Sequence, residues 1–244
     1  MKPLLDINNL VGGYSIHDPV LHDVSFHVNS GEIIGLIGLN GAGKSTTIRH
    51  IIGLMEPVQG SVSICGKTID ESPEAYRSHF SYIPETPILY EELTLWEHLE
   101  LTAMAYSLDN EWKERAEILL KEFRMETRKK WFPSHFSKGM KQKVMIMCAF
   151  LVEPKVYIID EPIVGLDPIG IHSLLSLMEK KKAQGAGILM STHILATAER
   201  YCDRFIVLHN GKVKAYGTLE ELQKKMNMKD ANLDDIYFSL TKED

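Results

Sequence analysis

Between Gly38 and Thr46 the chain reads Gly38-Leu39-Asn40-Gly41-Ala42-Gly43-Lys44-Ser45-Thr46, which sets glycines, a lysine and a hydroxyl where a nucleoside triphosphate needs them. Small residues let successive backbone N–H groups curl around phosphate oxygens. A helix beginning near Lys44 would add unpaired N–H groups and the positive end of its dipole. In this reading Lys44 reaches the β- and γ-phosphates and Ser45 ligates Mg2+. A second chemical element lies downstream, where the apolar run Val156-Tyr157-Ile158-Ile159 ends in Asp160-Glu161-Pro162. Two carboxylates at a strand end beside such a loop divide the labour. Asp160 organises Mg2+ through its water shell, and Glu161 takes a proton from, and orients, the water that attacks the γ-phosphate.

These groups need elements to hold them. Ile33-Ile34-Gly35-Leu36-Ile37 reads as a short buried strand and Thr46 to Ile52 as a helix, so the glycine-rich loop falls in a strand-to-helix turn. Leu4–Leu10, Leu21–Val28, Gly60–Ile64 and Tyr82-Ile83 have strand character. From Leu95 to about Phe123 the pattern turns helical, with Leu95, Leu99, Ala103 and Tyr106 on one face and Ile118, Leu119 and Phe123 on another. Lys141–Leu151 forms a further helix that Glu153-Pro154 ends. Strands at Val156–Ile159, Gly187–Ser191 and Arg204–Leu208 then alternate with a helix at Ile169–Lys182. Thr218-Leu219-Glu220-Glu221 has capping-box form and starts a helix through about Met226. The expected architecture is an α/β core of residues 1–85 and 154–217, a helical insertion at 86–153 and a helical tail at 218–244.

Composition excludes several function classes. The 244 residues carry a formal net charge of -6, which argues against a protein that coats nucleic acid. The runs Arg128-Lys129-Lys130 and Lys180-Lys181-Lys182 read as solvated helix faces or ends. No segment approaches the roughly 18 apolar residues of a membrane span, and Met1–Asp6 lacks a signal-peptide core, so a cytosolic chain is expected. Cys65, Cys148 and Cys202 are widely spaced and odd in number, which suggests neither a disulfide framework nor a zinc site.

Two more stretches make the set specific. Phe136-Ser137-Lys138-Gly139-Met140-Lys141-Gln142-Lys143 precedes the carboxylate strand, and Ser191-Thr192-His193 follows a later one. With these in order, the chain resembles the ATP-binding cassette family, the P-loop ATPase subunits of ABC transporters, from about Leu4 to Tyr216. The resemblance implies a dimer, with a second copy of the chain or a homologous ATPase subunit, closed around two ATP molecules and working with separate integral-membrane permease subunits from the inner face of the membrane. It also implies that Tyr14 stacks on adenine and that His193 contacts the γ-phosphate. Ser137 and Gly139, with Lys138 and Met140 around them, would bind the ATP held by the opposite subunit, while Asp167 in Gly165-Leu166-Asp167-Pro168 couples the two sites.

Departures from the family pattern sharpen the reading. The signature is commonly Leu-Ser-Gly-Gly-Gln, so Lys138 replaces a glycine and brings a positive charge suited to an anionic partner. The family's glutamine in the segment after Tyr82-Ile83-Pro84 is here Glu85, which can still offer an oxygen to Mg2+ but adds a negative charge near the γ-phosphate. Pro87–Tyr90 and Leu93–Trp96 offer apolar and aromatic surface where the family receives a helix from the membrane subunit. Leu93–Glu97, Lys138, Met140 and the tail Leu233–Thr241 look most like bacterial exporter-type ATPases, including the Ecs group. An importer ATPase is the alternative. A soluble cassette acting on ribosomes or nucleic acid, and a module that binds ATP without turnover, stand further off, because the chain has one cassette, no long coiled coil and intact Asp160, Glu161 and His193.

Overall fold

The computed structural model describes residues 2–242; Met1 and the final two positions of the helical tail, 243 and 244, lie outside the described residues. Two sheets organise the chain. A three-stranded antiparallel sheet, in the order β2-β1-β4, uses β1 (Leu5–Gly12), β2 (Leu21–Val28) and β4 (Gln59–Ile64). The second sheet has six strands: β3 (Ile33–Ile37), β5 (Phe80–Ile83), β6 (Val156–Asp160), β7 (Gly187–Thr192), β8 (Arg204–His209) and β9 (Lys212–Gly217). Their order is β5-β6-β7-β3-β8-β9, all parallel except β9, which runs antiparallel to β8. Helices α1 (Lys44–Ile51), α2 (Pro73–Ser78), α3 (Leu95–Ala105), α4 (Trp112–Glu122), α5 (Lys138–Val152), α6 (Pro168–Ala183), α7 (Leu195–Tyr201), α8 (Leu219–Met226) and α9 (Leu233–Thr241) surround the sheets. The mixed α/β architecture is the one expected.

Every residue of β3, β6 and β7 is buried, because a parallel sheet covered on both faces leaves no polar side to its strands. Their register matters for function. Ile37 at the end of β3 pairs with Thr192 of β7, and Asp160 at the end of β6 pairs with Ser191. The chain therefore leaves three adjacent strands at one edge of the sheet, the place where open α/β sheets assemble ligand sites.

The helical segment differs from its sequence reading in three respects. The stretch from Leu95 to Phe123 is two helices, broken after Tyr106, where Ser107 takes a left-handed φ of 51° and Asp109 accepts from Glu111 N–H and Arg115 Nη1. Leu95, Leu99, Ala103, Leu119 and Phe123 are buried as the pattern predicts, but Ile118 points to solvent. The buried residues join Val144, Met147 and Phe150 of α5 and continue without a break into Tyr157, Ile159 and Ile188 of the sheet. Helix α5 begins three residues earlier than the apolar run suggests because Ser137 caps it, accepting the Met140 N–H at 3.3 Å. Of the two basic runs, Lys180–Lys182 ends α6, but Lys181 is buried and pairs with Glu153. No helix among the described residues is long and apolar enough to cross a membrane, and the three cysteines are free.

Candidate functional site

The loop leaving β3 folds back on itself before α1. Gly43 caps α1 with φ 108°, and a Cβ there would lie 2.8 Å from Leu21 Cδ2, so both conformation and space demand glycine. Ala42 N–H donates to Leu39 O, and Gly211 N–H donates to Ala42 O, which ties the loop's crest to the β8–β9 turn. Lys44 is the first helical residue and is buried; its Nζ lies 2.7 Å from Gly38 O and 3.5 Å from Glu161 Oε1. Behind it, His50 Nδ1 lies 2.8 Å from Thr46 O, anchoring the first turn of α1.

Above the loop lies a cleft of about 570 Å3. Leu39, Asn40, Gly41, Gly43, Lys44, Ser45 and Thr46 line it, together with Tyr14, Glu85, Glu161 and His193. Gly38 and Ala42 sit buried behind the loop surface. Tyr14 is highly exposed in the loop between β1 and β2, and Arg49 of α1 donates to its hydroxyl at 2.9 Å. Sequence reading brings Tyr14 to the site but not its cationic neighbour.

Glu161 is fixed from three directions. Its N–H donates to Ser191 Oγ at 3.0 Å while its own backbone holds a left-handed φ of 46°. Its carboxylate then lies between Lys44 Nζ and His193 Nδ1, the latter 2.9 Å from Oε2. This αL backbone aims the side chain at the cleft, and strained conformations of this kind persist where the surroundings over-determine them. Asp160 lies one residue behind and accepts from Ser191 Oγ. Burial pushes the Asp160 carboxyl above its ordinary range; the Ser191 hydrogen bond and Lys44 oppose this, while the charges of Glu161 and Glu85 add to it. The nearby Tyr82 hydroxyl is pushed up to about 12, mainly by burial and then by the Asp160 charge.

These residues fit a magnesium ion. A buried carboxyl whose charge is opposed by two acidic neighbours gains from a cation, and Ser45, Glu85 and Asp160 offer only hard oxygen donors. Among the described residues no three carboxylates, histidines or cysteines form a protein-only metal cage. Mg2+ needs none, since it keeps several waters and takes one or two carboxylates with phosphate oxygens.

Ser137, Lys138, Gly139, Met140 and Asp167 do not line this cleft. They form a second group with the turn before α6. A Cβ on Gly139 would come within 2.3 Å of Gly165 O, so α5 and that turn approach as closely as backbones allow. The Lys138 stem runs past Gly165, and Met140 packs against the apolar core. Asp167 caps α6 through Gly170 N–H at 2.6 Å and pairs with Lys143 Nζ at 2.7 Å. Beside Lys143, Gln142 is buried and donates from Nε2 to Pro84 O, next to Glu85. Consecutive residues of α5 thus hold the segments that carry Asp167 and Glu85. Gln142 and Lys143 belong to the stretch that the sequence singles out, but their partners Pro84 and Asp167 are set by the fold.

Comparison with known proteins gives the family of the chain. The profile of the ABC transporter family matches residues 21–164. The ABC-type transporter ATP-binding protein EcsA of Bacillus subtilis (strain 168) is 68% identical over 242 residues, covering 99% of this chain and 98% of that protein. The ABC transporter ATP-binding protein YthP of the same organism is 42% identical and covers 100% and 99%. A solved structure described as the ATP binding subunit of an ABC transporter superposes with a TM-score of 0.95 at 62% identity, covering 98% of this chain and 99% of that one. Glycine-rich loop, paired carboxylates and histidine thus meet at one sheet edge in a chain that belongs to the ABC transporter family, as its ATP-binding, ATP-hydrolysing subunit.

Proposed function

We propose that the cleft hydrolyses ATP with Glu161 as general base and that the energy drives export through separate membrane-spanning subunits. The observation that carries the chemistry is the placement of the Glu161 carboxylate between Lys44 and His193, at the mouth of the phosphate loop. Subunits of this family act as dimers with membrane permease components. In this reading Tyr14 supports the adenine ring, and backbone N–H groups of residues 40–46 hold the phosphates. Phosphate oxygens displace Gly38 O as the partner of Lys44 Nζ, which then opposes developing charge on the γ-phosphate. Glu161 orients the attacking water and takes its proton, and His193 fixes the carboxylate that does so. Ser45, Glu85 and Asp160 would hold Mg2+, which would supply neutralisation of phosphate charge.

Ser137, Lys138, Gly139 and Met140 sit outside the cleft, which supports their use on a second subunit's nucleotide, with Asp167 linking the two sites. The helical insertion, residues 86–153, which carries α3–α5, acts as the arm that contacts the permease. In this reading the subunit sits peripherally on the cytoplasmic face, held there by that permease. Outward transport is supported by the similarity to the Ecs group. The test is reconstitution of the chain with the membrane protein that co-purifies with it from detergent-extracted membranes, followed by phosphate release and substrate movement in sealed vesicles. Coupled ATP turnover with accumulation on the side opposite the ATPase supports export; accumulation on the ATPase side would reverse the direction.

A further inference from the structure

The N–H of Leu39 lies at the point where the chain leaves β3 and begins the phosphate loop. Its acceptor is neither a loop carbonyl nor a neighbouring strand but the hydroxyl oxygen of Tyr237, 3.0 Å away and 198 residues later in sequence. Tyr237 is 3% exposed. Its ring is packed with Ile37, Ala198, Phe205 and Val207, so the hydroxyl is delivered to Leu39 from a rigid seat.

That seat is itself braced. Helix α9 starts with a reciprocal cap in which Asn232 accepts the Asp235 N–H and the Asp235 side chain accepts the Asn232 N–H. Leu233 N–H donates to Glu199 Oε2 of α7 at 2.6 Å. Helix α7 begins at Leu195, two residues after His193. One C-terminal helix therefore touches both the shoulder of the phosphate loop and the helix that follows His193.

We propose that Tyr237 is a positioning residue for nucleotide binding, holding the Leu39 end of the loop in the shape that accepts phosphate. A loop that wraps an anion with backbone N–H groups binds well only if its shape is set beforehand, because any ordering left to the moment of binding subtracts from affinity. Ala42 N–H to Leu39 O, Gly211 N–H to Ala42 O and Lys44 at the start of α1 fix the crest and the far end. The Tyr237 hydroxyl fixes the near end. Its loss leaves a partly buried N–H unpaired and frees residues 38–41 to move.

The inference rests on the cleft being an ATP site, and the experiment separates the two. In Tyr237→Phe the ring stays in its seat and only the hydroxyl is lost. ATP affinity measured by equilibrium titration is expected to fall roughly 3- to 10-fold, the size of one hydrogen bond. KM for ATP rises by the same factor, kcat stays within about twofold, and amide exchange accelerates in the peptide spanning residues 38–43. Tyr237→Leu, which also removes the ring, shows the same affinity loss with an added fall in melting temperature. A Tyr237→Phe protein with wild-type ATP affinity and loop exchange overturns the proposal, as does one that melts earlier yet binds ATP normally. If the wild-type chain fails to bind ATP at all, the reading of the cleft falls instead.

Discussion

Lys143 Nζ stands 2.7 Å from Asp167 Oδ2, and the same carboxylate caps α6 through Gly170. The lysine end is buried in α5, and the aspartate end is half exposed. The Lys143 hydrogen bond, then the Gly170 N–H, hold the Asp167 carboxyl below its ordinary range. Such a group stabilises the folded chain at pH values above its unfolded pKa near 4, and the contribution is lost as pH falls through the lowered folded value. In Lys143→Met the gap in melting temperature from wild type is therefore expected at neutral pH and to close in acid. Thermal melts from about pH 7 to pH 3 check it; a gap that is constant or widens in acid would show that lost packing, not the charge pair, is responsible. Because this pair ties the helix behind Gly139 to the Asp167 turn, steady-state ATPase of the dimer is expected to drop several-fold.

Glu161→Gln keeps the size of the side chain and its reach to His193 while removing the group that takes the proton. Turnover is expected to fall by roughly 10²- to 10⁴-fold, the usual contribution of a general base. ATP binding persists, so an ATP-loaded dimer accumulates. Size-exclusion chromatography with ATP and a phosphate-release assay measure both; turnover near wild type would remove Glu161 from the role of base.

The parts of the site legible in the sequence are those whose chemistry lies in adjacent residues. Gly38–Thr46 and Asp160-Glu161 announce themselves because loop, strand end and charge are contiguous, and the buried parallel strands read as apolar runs. What the sequence hides is pairing at long range. Ser191 orders both Asp160 and Glu161 from the next strand, Gln142 reaches Pro84, and Tyr237 reaches Leu39; none of these ties has a local pattern. Short elements escape for a related reason. Helices α2 and α7 and strand β9 span six or seven residues each, too few for a period to emerge, and their neighbours' packing sets them. The loop break between α3 and α4 needed a left-handed Ser107, which no composition rule marks.

Glu85 lines the cleft and adds to the charge that opposes ionisation of Asp160. With ATP seated in this cleft and no cation present, the carboxylate would also repel the γ-phosphate. ATP affinity is therefore expected to depend more steeply on Mg2+ concentration in wild type than in Glu85→Gln. Titrating ATP binding at several fixed Mg2+ levels checks this. Parallel Mg2+ curves for the two proteins would mean that the Glu85 charge is too far from the phosphates to matter.

Asp160 shows the cost of holding an acid in this place. Its folded pKa lies above the unfolded one, so the proton is bound more tightly in the folded chain, and this group's own contribution to stability is fully present at low pH and is lost as pH rises through the raised value. Asp160→Asn preserves an oxygen to accept the Ser191 hydroxyl but removes the buried charge. In buffer with neither nucleotide nor Mg2+, the variant is expected to melt higher at pH 7 by a few degrees, corresponding to a gain on the order of 1 kcal/mol. Its ATPase activity is lost, because the oxygen that would organise Mg2+ is no longer anionic. Adding ATP and Mg2+ should then raise the melting temperature of wild type far more than that of the variant. Equal melting of the two without ligand would mean that the Ser191 hydrogen bond and Lys44 already cancel the burial penalty.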